Sequence, residues 1–301
     1  MARFTIKEIE TLSGIRSHTL RIWEQRYGIL KPGRTDTNIR YYNDQDLKQA
    51  LNISILNAGG YKISAIARMT PGEMQQAVLT AGSGSSPDEA QVQTLVSTML
   101  ELDENGFSRE LATGILQRGV ERAMAELIFP LLNRVGLLWQ TGCIHVAHEH
   151  FITNLVKQKL YVAIDGQAWK EASHGERYLL FLREGEPHEI GLLLANYMLR
   201  VRGHKVLYLG QGLPLAELRE AVAMFQPQHI VTALTNAFPE GELHTFITTL
   251  AREWPDARIA CMGRQVDQQQ AVFPAHVSVI QQVHEFAGWI EEREHRSRIR
   301  K

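Results

Sequence analysis

The feature that most restricts the fold of this chain is a regular alternation of short apolar segments and helix-like segments from residue 177 onward. Each apolar segment has the length of a buried strand, and an amphipathic segment follows it. Five such repeats predict a parallel sheet with helices on both faces. The predicted strands are residues 178–182, 205–210, 229–234, 258–263 and 277–280. The first predicted helix ends at Arg200, and the other four span residues 215–225, 241–253, 266–272 and 285–293.

A doubly wound sheet of this flavodoxin-like, Rossmann-type kind binds its ligands at the carboxyl edge of the strands. The first loop at that edge contains Glu186, His188 and Gly191. A carboxylate two residues before an imidazole can accept one ring N–H, which leaves the other nitrogen as a metal ligand. A glycine lets a bulky group approach the backbone. A histidine and a glutamate in one loop are more often a solvated pair, so this pattern alone does not establish a site.

The amino-terminal segment has the signals of two short helices joined by a tight turn. Thr5 and Glu8 form a capping box for the first helix, and Ser17 is the predicted cap of the second, residues 18–27. We predict that Leu20, Ile22 and Trp23 face the core. Two helices joined at a glycine predict a helix-turn-helix, whose second helix reads the major groove of DNA.

Apolar and aromatic residues then flank a polar tip at residues 35–38, which predicts a β-hairpin wing. Residues 1–42 carry eight Lys and Arg against four acids, although the whole chain has a formal net charge of −1. A basic end on a nearly neutral chain is where a polyanion docks. The predicted DNA contacts are Arg16, His18, Thr19 and Arg21 on the second helix, and Arg34, Asn38, Arg40 and Tyr41 on the wing.

Residues 21–30, read as Arg-Ile-Trp-Glu-Gln-Arg-Tyr-Gly-Ile-Leu, are followed by Pro32, Arg34 and the Arg-Tyr-Tyr of residues 40–42. Their order and spacing resemble the winged helix of the MerR family of transcription regulators, over residues 3–70. The resemblance implies that the chain binds double-stranded operator DNA. The alternative for this segment is a small basic helical domain that binds protein.

Two further helices are predicted at residues 45–56 and 62–69, before a run of small polar residues at 80–87. Such a run indicates a flexible linker. Apolar residues at helical spacing between positions 88 and 164 predict a helical bundle. The predicted domains are a DNA-binding domain at 1–78, a linker at 79–87, a bundle at 88–165 and an α/β domain at 176–295.

Inside the predicted bundle, Trp139 lies near the end of one helix, and Glu149 and His150 lie in the next. This spacing resembles the motif with which light-responsive MerR regulators of the CarH type cover the upper face of cobalamin. Packing in the core is the alternative for Trp139. For His145 and His148 we favour a solvated face, because they do not form the zinc-binding His-Glu-x-x-His pattern.

The Glu186-x-His188-x-x-Gly191 loop resembles the signature of the cobalamin-binding domain shared by CarH-type regulators, methionine synthase and certain mutases. The resemblance implies that His188 replaces the cofactor's dimethylbenzimidazole and ligates cobalt from below. It also implies that Glu186 tunes this ligand and that Gly191 lets the nucleotide tail pass.

Further matches to that domain lie at the ends of later strands. Thr232 and Leu234 match a Ser/Thr-x-Leu pattern, whose hydroxyl hydrogen-bonds the tail. Gly263 matches one of two paired glycines after the fourth strand, whereas Met262 stands in place of the other. Gln140 follows Trp139 where some light-sensing relatives carry a histidine. We therefore do not expect a photoproduct with two histidine ligands, unless His148 or His150 takes that role.

These resemblances imply a transcription regulator, and a repressor rather than an enzyme, that is controlled by adenosylcobalamin and light. The cofactor would bridge the bundle and the sheet and favour a homo-oligomer, a dimer or a tetramer, because several DNA-binding heads raise avidity. One alternative is a corrinoid-dependent enzyme or methyl carrier, which the DNA-binding head disfavours. Another is a MerR-type regulator that senses a different chromophore or ligand, which Met262 favours.

Composition limits which classes of protein the chain can belong to. No apolar run reaches the ~18 residues of a membrane span, and the charged amino-terminal segment does not resemble a signal peptide. The two cysteines, Cys143 and Cys261, are too far apart to suggest a disulfide scaffold or a zinc site. The sequence therefore predicts a cytoplasmic protein of two or three domains.

Overall fold

The computed structural model describes residues 3–34, 40–81, 87–167, 175–239, 241–267 and 273–299. The chain divides into two compact units. The amino-terminal unit comprises Met1–Gln117 and Glu126–Ile152, and the carboxyl-terminal unit comprises Arg118–Ala125 and Thr153–Lys301.

The chain begins with two helices, a small antiparallel hairpin and three further helices. A capping box at Thr5 starts α1 as the sequence predicts, and another at Asn43 starts α3, because each side chain accepts a backbone N–H of the first turn. These elements are α1 Ile6–Ser13, α2 Ser17–Tyr27, β1 Gly33–Arg34, β2 Arg40–Tyr41, α3 Asp44–Ala58, α4 Ile63–Ile66 and α5 Pro71–Thr80. The predicted helix-turn-helix is confirmed, and β1 and β2 pair antiparallel as the predicted wing requires, while its predicted tip at residues 35–38 lies outside the described residues.

Two details of the second helix were predicted wrongly. It begins at Ser17, not at residue 18, and the Ser17 hydroxyl donates to Glu10 of α1 instead of capping its own helix. Ile22 is not in the core, since 52% of it is exposed, whereas Leu20 is fully buried. Ile22 lies two residues after Leu20, and positions two apart do not share a helix face.

The middle of the chain is helical, as predicted. It contains α6 Pro87–Leu100, α7 Glu104–Arg118, α8 Val120–Ala123, a π-helical segment Met124–Ile128, α9 Phe129–Gln140 and α10 Val146–Asp165. Both ends of the predicted linker are helical, because Leu79 and Thr80 belong to α5 and Pro87 opens α6; residues 82–86 lie outside the described residues. Arg134 of α9 caps α5 by donating to the carbonyls of Leu79 and Ala81 at 2.8 and 2.7 Å.

The rest of the chain forms the predicted flavodoxin-like domain. Its sheet has five parallel strands in the order β4-β3-β5-β6-β7. The strands are β3 Arg177–Arg183, β4 Lys205–Leu213, β5 His229–Ala233, β6 Arg258–Met262 and β7 Val277–Ile280. The helices are α11 Ile190–Val201, α12 Leu215–Phe225, α13 Glu242–Glu253, α14 Arg264–Asp267 and α15 Val283–Ile299.

The central strands are buried on both faces, which is why their sequences are continuously apolar instead of alternating. On one face, Leu179, Phe181, Ile230 and Ile259 pack in a single core with residues of α12 and α13. The order of the strands reverses between β3 and β5, and a sheet of this type binds its ligand in the crevice at that point. The loops after β3 and β5 therefore define the expected site.

Candidate functional site

The loop after β3 holds a buried carboxylate against a solvent-accessible imidazole. Only 2% of Glu186 is exposed, whereas 46% of the His188 side chain is accessible. The His188 Nδ1 lies 2.6 Å from Glu186 Oε1. An ionised carboxylate can only accept, so the proton is on Nδ1 and the lone pair of the neutral ring is on Nε2. The loop thus presents a histidine nitrogen suited to a metal.

The second oxygen of Glu186 connects this loop to the loop after β5. The backbone N–H groups of Thr235 and Asn236 donate to Glu186 Oε2 at 2.6 and 2.8 Å. The Asn236 side chain also donates to the Gly185 carbonyl at 2.6 Å. The sequence did not predict these bonds, because backbone donors have no residue-type signature. They fix the imidazole at the point where the strand order reverses.

Burial by itself raises the pKa of Glu186, but the hydrogen bonds from His188, Asn236 and Thr235 outweigh it and hold the pKa below its ordinary value. A carboxyl group whose pKa is lowered on folding stabilises the folded state above its unfolded-state pKa. That stabilisation is lost as the pH falls through the lowered pKa. The loop is therefore built around an ionised Glu186 at neutral pH.

Thr232 and Leu234 both lie fully buried at the end of β5. The Thr232 Oγ1 has no hydrogen-bond partner among the described residues. A buried hydroxyl without a partner is costly in a folded protein, so it is suited to a polar ligand atom that enters from the strand end. This observation fits the predicted contact with the nucleotide tail of cobalamin.

The two predicted glycines differ in their surroundings. A Cβ at Gly191 would meet no atom within 4 Å, so the chain itself leaves space there. A Cβ at Gly263 would lie 2.6 Å from the backbone oxygen of Leu234. Gly263 also has a φ of +106°, which side chains rarely adopt. Gly263 is thus required to pack the loop after β6 against Leu234.

The residues predicted for the upper face of a cofactor lie in the amino-terminal unit. Trp139 is next to last in α9, and 51% of it is exposed while its neighbour Leu138 is buried. Exposure of so large an aromatic ring argues against a core role. Glu149 is partly buried and His150 is exposed in the first turns of α10. The rings of His145 and His148 stack on each other, with His145 exposed and His148 partly buried. No group of three metal-ligating residues occurs in the described part of the chain.

The predicted DNA contacts are mostly at the surface. The exposed residues near α2 are Arg16, which directly precedes the helix, and His18 and Arg21 within it. Thr19 is partly buried beside His18. Arg34 is exposed on β1. Arg40 is half-buried and donates through Nε to Glu24 at 3.2 Å. Tyr41 packs across Gly33 and beneath the Arg3 guanidinium, and Asn38 lies outside the described residues.

The family model of the MerR HTH family regulatory protein matches residues 4–73, and that of the B12 binding domain matches residues 91–164. The transcriptional repressor CarH of Myxococcus xanthus is 29% identical over 81% of this chain and 83% of its own. The repressor CarA of the same organism is 28% identical over 77% of this chain and 76% of its own. The monomethylamine corrinoid protein of Methanosarcina barkeri has a similar fold, with a TM-score of 0.52 and 14% identity over 68% of this chain and 99% of its own. No helix in the described residues is long and apolar enough to cross a membrane.

Proposed function

Because the chain carries a MerR-type helix-turn-helix and a B12 binding domain, and is homologous to the repressors CarH and CarA, we propose that it is a repressor controlled by adenosylcobalamin and light. The observation that carries this proposal is the Glu186–His188 pair, whose 2.6 Å hydrogen bond lies where the strand order reverses. That pair would supply one imidazole nitrogen as a ligand of cobalt.

The carboxyl-terminal unit would hold the lower side of the cofactor. His188 would bind cobalt through Nε2, while Glu186 keeps the proton on Nδ1 and orients the ring. The nucleotide tail would pass Gly191, where the chain leaves open space, and its polar atoms would meet the Thr232 hydroxyl. Leu234 and Gly263 would form the adjoining wall.

Trp139, Glu149 and His150 would contact the upper side. The exposed indole of Trp139 offers an aromatic face on which an adenine ring can stack. Glu149 would accept hydrogen bonds from the hydroxyl groups of the ribose, with His150 beside it. When bound, adenosylcobalamin supplies a light-labile cobalt–carbon bond. The three residues would thus distinguish a cofactor that carries the adenosyl group from one that has lost it.

The amino-terminal helices and hairpin would bind the operator. Arg16, His18, Thr19 and Arg21 on α2 would face the major groove, and the wing, with Arg34, Asn38, Arg40 and Tyr41, would contact the backbone. Bound cofactor would favour a dimer or a tetramer, which raises the avidity for repeated sites. Loss of the adenosyl group would reverse that preference and release the DNA, which requires that the assembled state bind the adenosyl form of the cofactor more tightly than the other state does.

The adenosyl and light dependence can be tested on the purified full-length chain. We expect adenosylcobalamin added in the dark to bind, to change its absorbance spectrum, and to shift the chain to an earlier elution volume in size-exclusion chromatography. Green light should then change the spectrum and return the chain to a later elution volume. Hydroxocobalamin, which lacks the adenosyl group, is the matched control and should not produce the early elution.

Two results would contradict this proposal in different ways. A chain that stays colourless after mixing and gel filtration would favour a regulator that senses another chromophore or ligand. A second outcome is a chain that binds both cobalamins but elutes identically in the dark, in the light and with hydroxocobalamin. That outcome would support cobalamin binding and refute the light-controlled assembly.

A further inference from the structure

Glu189 follows the proposed cobalt ligand directly, and the sequence did not single it out. Only 7% of it is exposed, and its two oxygens accept from residues of β4 and of α10. Tyr208 of β4 donates to Oε1 at 2.7 Å, and Gln211 of β4 donates to Oε2 at 2.9 Å. Buried carboxylates are tolerated where such partners replace water.

The same side chains hold the histidine loop in place. Gln211 donates through Nε2 to the Pro187 carbonyl at 3.0 Å as well as to Glu189. The residues immediately before and after His188 are therefore both tied to β4. Glu186 fixes the imidazole ring itself. The backbone on either side of His188 therefore has little freedom to move unless these hydrogen bonds change.

Glu189 also binds the helix α10. The Lys157 ammonium lies 3.3 Å from Glu189 Oε2, and the Tyr161 hydroxyl donates to the same oxygen at 3.3 Å. Lys157 and Tyr161 are four residues apart, so they lie on one face of α10. Burial, followed by the negative charge of Glu189, raises the pKa of Tyr161. Burial, followed by the hydrogen bond to Glu189, raises the pKa of Tyr208, so both phenols remain donors at neutral pH.

The helix α10 is continuous over Val146–Asp165 and carries Glu149 and His150 in its first turns. Lys157 follows Glu149 by about 12 Å along the axis, at 1.5 Å per residue. Lys157 and Glu149 therefore belong to one uninterrupted helix.

We propose that Glu189 is a positioning residue that couples the histidine loop to α10. Binding of cobalt to His188 then changes the stability of the helix that carries Glu149 and His150. The coupling rests on the proposed function, because it assigns His188 and α10 to the same cofactor. Glu189 itself does not touch the cobalt in this assignment. Its role is to hold the loop against the Lys157 and Tyr161 turn of the helix.

The variant Glu189→Gln keeps the shape of the side chain and removes its charge. The amide oxygen can still accept from Tyr208. The amide nitrogen then faces the donors of Lys157 and Gln211, and donors repel each other. In the cofactor-free chain we expect the amides of residues 157–165 to exchange hydrogen about tenfold faster, because charge-assisted bonds to the helix are lost.

A second readout separates coupling from ordinary structural support. In the wild type, we expect adenosylcobalamin to slow the exchange of residues 157–165. In Glu189→Gln, the spectral change that reports ligation by His188 should still be seen, with an affinity within about tenfold of the wild type. The protection of residues 157–165 on cofactor binding should be lost. A purely structural role would weaken spectral change and protection together.

The variant Glu184→Gln makes the same chemical change at an exposed position of the same loop and serves as the control. Exchange in cofactor-free Glu189→Gln that equals the control would overturn the coupling, whether or not cobalamin binds. Full protection of α10 by the cofactor in Glu189→Gln would also overturn it. Failure of the wild type to bind cobalamin would refute the proposed function instead, and would leave the cofactor-free result to decide whether Glu189 anchors α10.

Discussion

Replacing His188 by alanine is expected to weaken adenosylcobalamin binding at least about 100-fold, because loss of an outer partner of a metal ligand already costs about 10–100-fold. Alanine removes the nitrogen that Glu186 holds in a fixed orientation at 2.6 Å. It also leaves a buried carboxylate without the imidazole of His188, although the Thr235 and Asn236 amides remain. Titration of the chain with the cofactor, followed by absorbance, measures both the affinity and the loss of histidine ligation.

The matched control for this prediction is His284→Ala. His284 is an exposed histidine near the start of α15, and it has no role in the proposed site. The control should bind adenosylcobalamin with the wild-type spectrum and affinity. If His188→Ala gives the same spectrum and affinity as His284→Ala, cobalt is held by another group and the assignment of His188 is wrong.

The second large effect is expected from Gly263→Ala, and it concerns stability. The new Cβ would lie 2.6 Å from the oxygen, 2.9 Å from the carbonyl carbon and 3.0 Å from the nitrogen of Leu234. All three are backbone atoms of a fully buried residue, so no flexible side chain can move aside. The φ of +106° adds backbone strain. Together these should lower the free energy of unfolding by at least about 2 kcal/mol, as measured by urea denaturation of the full-length chain.

Gly288→Ala is the comparison for this effect. Gly288 lies inside α15, its Cβ would meet no atom within 4 Å, and its φ is not positive. Alanine there should leave the chain unaffected or stabilise it by up to about 1 kcal/mol, since glycine is unfavourable inside a helix. Equal urea midpoints for the two variants would mean that the loop after β6 can move away from Leu234.

The carboxyl-terminal sheet could be predicted from the sequence because its strands are continuous apolar runs separated by helix-like segments. The resemblance to MerR-type regulators with a B12 binding domain is confirmed by the family models at residues 4–73 and 91–164 and by the repressors CarH and CarA. The loop with Glu186 and His188 lies outside both matched segments, so its cobalamin signature stays a prediction. The end of β4 was missed: the strand runs on to Leu213 through Gly210 and Gly212, which read as a strand end. Pairing with β3, which shifts register there, keeps those glycines in the sheet. Long-range pairing of this kind has no local signal.

The short helices of the amino-terminal unit were also predicted incorrectly. The predicted helix at residues 62–69 is a single turn, Ile63–Ile66, and α5 was not predicted although Thr70 and Glu73 form a capping box with Pro71 in the first turn. Those three residues are a recognisable start signal. The position of Ile22 was misjudged because an apolar residue in a short helix does not reveal which face packs inward.

At the site, the spacing of Glu186 and His188 predicted their hydrogen bond, since two residues in a loop can bring the side chains together. The remaining partners could not be predicted. The amides of Thr235 and Asn236, and the side chains of Tyr208 and Gln211, approach the loop from about 20 to 50 residues away in the chain. Only the reversal of strand order brings these segments together.

The most direct test of the account is operator affinity, measured in the dark with and without adenosylcobalamin for the wild type and for His188→Ala, on a DNA site selected with the wild-type chain. An allosteric coupling of about 1–3 kcal/mol corresponds to a change of about 5–150-fold. We predict that the cofactor tightens binding by the wild type within that range and changes binding by His188→Ala less than about twofold. An equal response of both chains, or none from the wild type, would contradict control of DNA binding through His188.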